Sequence, residues 1–359
     1  MTQKQKKQIF GLLVALCLFL LAEAQKKQET AEAKVPEGHA GLIFCSQNLF
    51  AYGAPARDKK KAPSREKGQG QFLVERFIEA ECDVIALQEV GGANEKKANE
   101  TLSRLSRLLE SNSKRSFLPV VGGSNDKFIR NGFLLAKDKV TLIEKKSYSS
   151  HNLPKLQPLG KEHRFSRGPL GVHVQTLSNP KKDFLFFSIH FKSPVFGFRD
   201  PTGTNFEALR MEMAEATREL ALDWAKEIGD PVLVIAGDRN SDFDAASSEI
   251  LEGRLELEDF LMRRCRLEED NKTPVCNHEV IDQSELLPLF EYTKKNFPQA
   301  LVGLSYLLRS KPLLLDEVLI QERHLSLVQV DEKPPRVKFV GKFKKGSDHK
   351  LLKVDFFWQ

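Results

Sequence analysis

Cysteine is scarce and scattered: there are five in 359 residues, and no two of them form a CxxC pair. That spacing argues against a zinc site. Long apolar runs are equally lacking, since Ile9–Ala22 is shorter than the roughly 20 residues a bilayer span needs. No internal repeat is present, which excludes solenoid and array architectures. Charge of one sign is not in large excess either. The formal charge is +6, and residues 1–24, with three lysines against one glutamate, leave +4 on the remainder. Such mild basicity does not identify a partner, so the distribution of charge carries more information than its sum.

What is present at the N-terminus follows a secretory pattern. Lys4, Lys6 and Lys7 precede the apolar run, and Ala22-Glu23-Ala24 places small residues at −3 and −1 of a cleavage point before Gln25. Cys17 lies inside that run after Leu16, which does not suit lipid attachment. Residues 1–24 therefore read as a signal peptide, residues 25–40 as a polar, flexible lead-in, and residues 41–359 as one domain. The expected location is secreted or periplasmic. Cys45, Cys82, Cys265 and Cys276 are then an even set in an oxidising compartment. A Cys265–Cys276 bridge closes a short loop, whereas Cys45 and Cys82 sit beside apolar segments and suit either a bond or buried thiols.

From Gly41 onward, short β-rich runs alternate with longer helical patterns. Strands are expected over Gly41–Leu49, Asp83–Gln88, Gly132–Ala136, Gly171–Leu177, Phe184–His190, Val232–Ala236, Leu313–Ile320, His324–Val330 and Leu351–Phe357. Helices are expected over Gln69–Ala80, Lys96–Glu110 and Asn205–Ile228, the last with Met213, Ala216, Leu220 and Trp224 as its core stripe. This mixture predicts an α/β fold of two packed sheets flanked by helices.

Six strand ends carry polar residues suited to holding chemistry rigidly. They are Asn48 in Cys45-Ser46-Gln47-Asn48, Glu89 in Ile85-Ala86-Leu87-Gln88-Glu89, His190 in Ser188-Ile189-His190, Asp238 and Asn240 in Gly237-Asp238-Arg239-Asn240, Asp316 in Leu315-Asp316-Glu317, and Asp348-His349 after Ser347. A carboxylate at one strand end is usually a cap or a surface group, so it is the order of the set that is specific. That order, running from about Gly41 to Gln359, resembles the endonuclease/exonuclease/phosphatase superfamily of DNase I-like metal-dependent phosphodiesterases.

The resemblance implies a four-layered α/β sandwich of two packed mixed β-sheets flanked by helices. It implies that Asn48, Glu89 and Asp348 hold Mg²⁺ or Mn²⁺, with Ca²⁺ a further candidate. Asp238 would orient or deprotonate the attacking water and Asn240 would hold it. His190 and His349, the latter oriented by Asp316, would move protons and stabilise charge. Arg167 would face phosphate. Two positions depart from the usual pattern. Arg239 replaces an apolar residue, implying a more exposed strand end or an added phosphate contact, and Glu317 stands where His or an aromatic residue is common.

The superfamily cuts several phosphoesters with one core site, so loops must select the substrate. Lys342, Lys344 and Lys345 precede Asp348 closely enough to extend a polyanion track, with Lys345 the nearest, and this favours nucleic acid. The apolar Pro194-Val195-Phe196-Gly197-Phe198 after His190 suits membrane lipid, base stacking or simple burial. The expected activity is therefore nuclease, with a sphingomyelinase-like or phospholipase C-like enzyme as the alternative and an inactive binding module behind both. A monomer is expected. Asn99-Glu100-Thr101 and Asn271-Lys272-Thr273 are glycosylation sequons.

Overall fold

In a computed structural model, the described residues are 40–54, 64–154, 162–195, 199–200, 204–257, 266–267, 274–275, 285–300, 306–308, 311–341 and 347–359. The predicted Cys265–Cys276 bridge, Asn271, Phe196–Phe198 and the lysines 342, 344 and 345 lie outside them, as does the N-terminal segment.

The first sheet contains β1 (Ala40–Asn48), β2 (Val84–Gly91), β3 (Phe117–Val121), β4 (Ile129–Ala136), β11 (Val337–Val340) and β12 (Leu351–Trp358), in the order β11-β12-β1-β2-β4-β3. The second contains β5 (Val140–Ser147), β6 (Leu170–Thr176), β7 (Asp183–His190), β8 (Val232–Asp238), β9 (Leu287–Pro288) and β10 (Asp316–Ile320), in the order β9-β10-β8-β7-β6-β5. Each sheet has a parallel pair at its centre, β1 with β2 and β7 with β8. Parallel neighbours need a crossover. Helix α1 (Ser64–Glu79) makes the first, and α3 (Glu207–Ile228) makes the second.

Helices α1 and α2 (Glu95–Ser113) cover the outer face of the first sheet. Leu73, Phe77, Leu102, Leu105 and Leu109 pack there with Ile85, Leu87 and Leu134 from the strands. Asn94 caps α2 by accepting from the Lys97 amide at 2.9 Å. Helices α3 and α4 (Ala246–Glu252) cover the second sheet, with Met213, Ala216 and Trp224 against Phe187, Leu233 and Ile235. Leu220 packs on the margin of that core. Between the sheets, phenylalanines meet face to face, with Phe44 stacked on Phe186 at 4.9 Å between ring centres. Helices, sheet, sheet and helices thus form the four-layered sandwich that the sequence predicts, and Gly41–Trp358 cluster as one compact unit. No helix among the described residues is long and apolar enough to cross a membrane.

Three local expectations change. The run predicted as a strand over His324–Val330 is a 3-10 helix, Glu322–Leu327, and the strand beside β12 comes later, at Val337–Val340. Strands β3 and β5 have weak sequence signals because both are sheet edges. The first carries Pro119, and the second exposes most of its side chains. The open question of Cys45 and Cys82 is answered by a disulfide with the Cα atoms 5.8 Å apart. Parallel pairing sets Cys45 opposite Ile85, three residues from Cys82, so register brings the two together.

Candidate active site

The two parallel pairs end at the same edge of the sandwich. β1 and β2 deliver Asn48 and Glu89, and β7 and β8 deliver His190 and Asp238 at paired positions. The antiparallel β10 places Asp316 opposite Asp238. Ligands of open α/β sheets gather beyond the carboxyl ends of parallel strands, and here two such ends converge. The sheets are tied just beneath the site: Gln88 Nε2 donates to Ser188 Oγ at 3.1 Å, and Ser188 Oγ donates to the Leu87 carbonyl at 3.1 Å.

Glu89 sits in a bulge between Leu87 and Val90 with φ 61°, and Asn240 has φ 53°. Left-handed backbone at non-glycine residues is uncommon, and both cases aim a polar side chain at the site. Gly237 has φ 140°, and a Cβ there would lie 2.2 Å from the Ile189 carbonyl oxygen. Only glycine lets β8 close onto β7 at this point.

Asp238 is the hub. Its Oδ1 accepts from the Asn240 amide at 2.9 Å and its Oδ2 from Asn48 Nδ2 at 3.1 Å. His190 Nε2 lies 3.5 Å and His349 Nε2 3.7 Å from the same Oδ2. Burial pushes the Asp238 carboxyl up to about 7, against the pull of the His349 charge. The histidines diverge. Burial, with the Arg167 charge nearby, drives His190 well below its ordinary value. Burial also opposes the charge of His349, but Asp316 and Asp238 outweigh it and push His349 up to about 10. Asp316 Oδ2 lies 2.6 Å from His349 Nδ1 and so orients the ring. One neutral and one protonated imidazole therefore flank one carboxylate near neutral pH.

Glu89 and Asp348 lie close enough to feel each other's charge. Burial raises both carboxyls, and the charge of Asp348 raises Glu89 further. Asp348 Oδ1 is buried with no hydrogen-bond partner. Among the described residues no group of three or more His, Cys, Asp or Glu side chains forms a metal cluster. Two hard carboxylates still fit a cation such as Mg²⁺, which keeps several of its own waters, whereas Asn48, expected as a third ligand, turns its nitrogen rather than its oxygen toward Glu89. Asn48 presents its amide nitrogen to Glu89 Oε1 at 3.5 Å, while its Oδ1 accepts from the Phe50 amide.

Arg167 is buried at the site, yet Nε donates to the His190 carbonyl at 3.3 Å and Nη2 to the Phe191 carbonyl. It thus braces the end of β7 while placing its charge beside Glu89. Arg239 corrects the sequence-based expectation of exposure or phosphate contact. It is 1% exposed and turned away from the site, with Nη1 3.4 Å from Glu252 Oε1. Glu317, the other departure, is fully buried beside the same charge. The two unusual residues therefore meet in one ionic cluster behind the strands that carry the candidate site. Asn240 Nδ2 donates to the Phe191 carbonyl at 3.2 Å.

One supporting group was not singled out by sequence. Arg76, on the inner face of α1, donates from Nη1 to the His349 carbonyl at 3.0 Å and to Gln47 Oε1 at 3.2 Å. Gln47 Nε2 reaches the Asn48 carbonyl at 2.8 Å and the His349 carbonyl at 3.3 Å. Ser347 Oγ donates to the Asn48 carbonyl at 2.6 Å and accepts from the His349 amide at 3.1 Å. The signal was a charged residue within an otherwise apolar helical stripe.

No protein-family model matches the sequence, and no curated protein matches it. Solved structures do. An endonuclease/exonuclease/phosphatase family protein from Bacteroides thetaiotaomicron is 13% identical with a TM-score of 0.51, covering 89% of this chain and 99% of that one. The counterpart from Bacteroides vulgatus has the same identity, coverages and TM-score. The human nocturnin catalytic domain, solved with a bound sulfate anion, is 12% identical with a TM-score of 0.53, covering 91% of this chain and all of that one. The chain therefore has the fold of the endonuclease/exonuclease/phosphatase proteins.

Proposed function

We propose that this protein is a metal-dependent phosphodiesterase that acts on nucleic acid outside the cytoplasm. The observation that carries the reading is the convergence of two buried histidines on one carboxylate, Asp238, with Asp316 on the far nitrogen of His349 and Glu89 3.8 Å from His190 Nε2.

Asp238, aligned by the Asn240 amide and Asn48, would take a proton from an attacking water. His349, protonated and fixed by Asp316, would place positive charge on the phosphoryl oxygens as negative charge develops there. His190, neutral and buried, would donate a hydrogen bond to the same group. Glu89 and Asp348 would hold the metal, with Asn48 positioning Glu89 and Asp238 through its Nδ2. When bound, the ion supplies charge neutralisation on the phosphate and at the leaving oxygen.

The Cys45–Cys82 bond supports an oxidising location, in line with the secretory pattern of residues 1–24. A lipid phosphodiester is the second reading, favoured by Pro194 and by Val195, which is 58% exposed just beyond the His190 strand.

The test is incubation of the purified chain with Mg²⁺ or Mn²⁺ and, separately, plasmid DNA, RNA and sphingomyelin vesicles, with His349→Ala as control. Cleavage of a polynucleotide by the unaltered protein alone is the expected result. Release of phosphocholine without nucleic-acid cleavage would transfer the assignment to lipid, and no turnover of any substrate would overturn it.

A further inference from the structure

The strand that delivers His190 runs on into a second constellation. Phe191 turns into the core beneath α3, and the next side chain, Lys192, stays half-buried near the surface. The Lys192 charge is felt at His190, and burial together with Arg167 holds the Lys192 ammonium below its ordinary value. Its Nζ lies 4.6 Å from the centre of the Phe206 ring, which is also half-buried.

Phe206 is held there against its own backbone preference. Asn205 has φ 52° and Phe206 φ 66°, two consecutive non-glycine residues in the left-handed region. Asp200 Oδ2 fixes them, accepting from the Thr204 amide at 3.0 Å, the Thr204 hydroxyl at 3.1 Å and the Phe206 amide at 2.7 Å. Arg210 Nη1 then joins the two segments, donating to the Lys192 carbonyl at 2.9 Å and the Asn205 carbonyl at 3.1 Å. Glu207 holds that guanidinium at 2.7 Å. Strain maintained by surrounding bonds is characteristic of ligand-contacting segments. An aromatic ring and an ammonium two residues beyond His190 match the two parts of a nucleotide, its base and its phosphate.

We propose that Lys192 and Phe206 form a subsite for the nucleotide flanking the scissile phosphate of a single-stranded nucleic acid, with the Lys192 ammonium leaving the Phe206 ring to pair with the phosphate and the base stacking on the ring in its place. This rests on the nuclease reading above.

The test uses the full chain. Binding of a fluorescein-labelled single-stranded oligonucleotide is measured in excess chelator, where turnover is blocked. In parallel, kcat/KM is measured with Mn²⁺ for the oligonucleotide and for bis(4-nitrophenyl) phosphate. Phe206→Leu keeps an apolar side chain without a stacking face, and is expected to weaken binding about tenfold and lower the oligonucleotide-to-small-diester ratio of kcat/KM similarly. Phe206→Trp is expected to hold that ratio within about threefold, because it restores a stacking face. Lys192→Gln is expected to reduce the slope of log affinity against log salt by about 0.7, the value for one contact on a single strand. An unchanged ratio and affinity in Phe206→Leu overturns the subsite and leaves the nuclease reading standing. Equal losses in the Leu and Trp variants assign the effect to the loop's fold and also overturn it. An unaltered protein that turns over only the small diester overturns both.

Discussion

Replacing Arg76 with methionine removes a charged donor from the backbone of the His349 loop while keeping most of the side chain's bulk. Hydrogen bonds to the His349 carbonyl at 3.0 Å and to Gln47 Oε1 at 3.2 Å go with it. Each bond to a charged donor is worth about 1.5–3 kcal/mol, and Gln47 Nε2, 3.3 Å from the same carbonyl, recovers part of that. A net loss of about 3 kcal/mol in unfolding free energy is expected. The catalytic effect follows from geometry. His349 is useful only while its Nδ1 stays on Asp316 and its Nε2 stays near Asp238, and misplacement by about 1 Å can cost on the order of a hundredfold. We expect kcat toward bis(4-nitrophenyl) phosphate to fall about ten- to hundredfold with KM changed by less than about threefold. Gly341→Ala should reproduce the defect in milder form, because its Cβ would lie 2.6 Å from Arg76 Nε at a backbone φ of 87°. Steady-state kinetics and urea unfolding at matched temperature read both quantities. A stable Arg76→Met protein with undiminished kcat would refute the reasoning and leave Ser347 as the anchor of the loop.

Three further outcomes are expected. Loss of the Cys45–Cys82 bond, which closes a separation of 37 residues, should cost about 4 kcal/mol in the chain-entropy picture. Urea unfolding of the Cys45→Ala/Cys82→Ala variant measures this, and a loss under about 1 kcal/mol would show that the bond constrains little. Burial pushes Glu252 up to about 8 and Glu317 up to about 7, from an ordinary 4.5. A raised carboxyl means that the folded chain keeps a proton the unfolded chain releases, so this contribution is complete below 4.5 and is lost as pH rises through 7 to 8. The urea midpoint should decline from about pH 5 to about pH 8 and level off above it, and Glu252→Gln should flatten the decline; a level profile over that range in the unaltered chain contradicts the buried cluster. Finally, Glu89→Gln and Asp348→Asn should each weaken Mn²⁺ binding by calorimetry at least tenfold, whereas Asp316→Asn should leave it within about threefold. Equal effects from all three would deny Glu89 and Asp348 their special place.

Much of the sandwich was legible because burial writes a period into the chain. Val84–Gly91, Asp183–His190 and Val232–Asp238 are nearly continuous apolar runs, as central strands covered on both faces must be, and they appear within a few residues of the predicted bounds. Edge strands face solvent and lose that signature, which is why β3 and β5 did not stand out. His324–Val330 misled because an apolar alternation this short fits a 3-10 turn under β12 as well as it fits a strand.

The amino-acid sequence by itself determined which polar residues stand at the ends of apolar strands, since strand ends are set by local pattern, and it was their order that pointed to phosphodiester chemistry. Tertiary structure alone decided what each of them experiences. Asp238 and Asp316 are opposite partners only because β8 and β10 are adjacent. Arg239 leaves the site for Glu252 because β8's end turns it toward the ionic cluster behind the strands, and two histidines of one residue type take opposite protonation states because one is buried near Arg167 and the other between carboxylates. Such properties depend on distances between residues far apart in the chain, and a periodicity read along the chain carries no information about them.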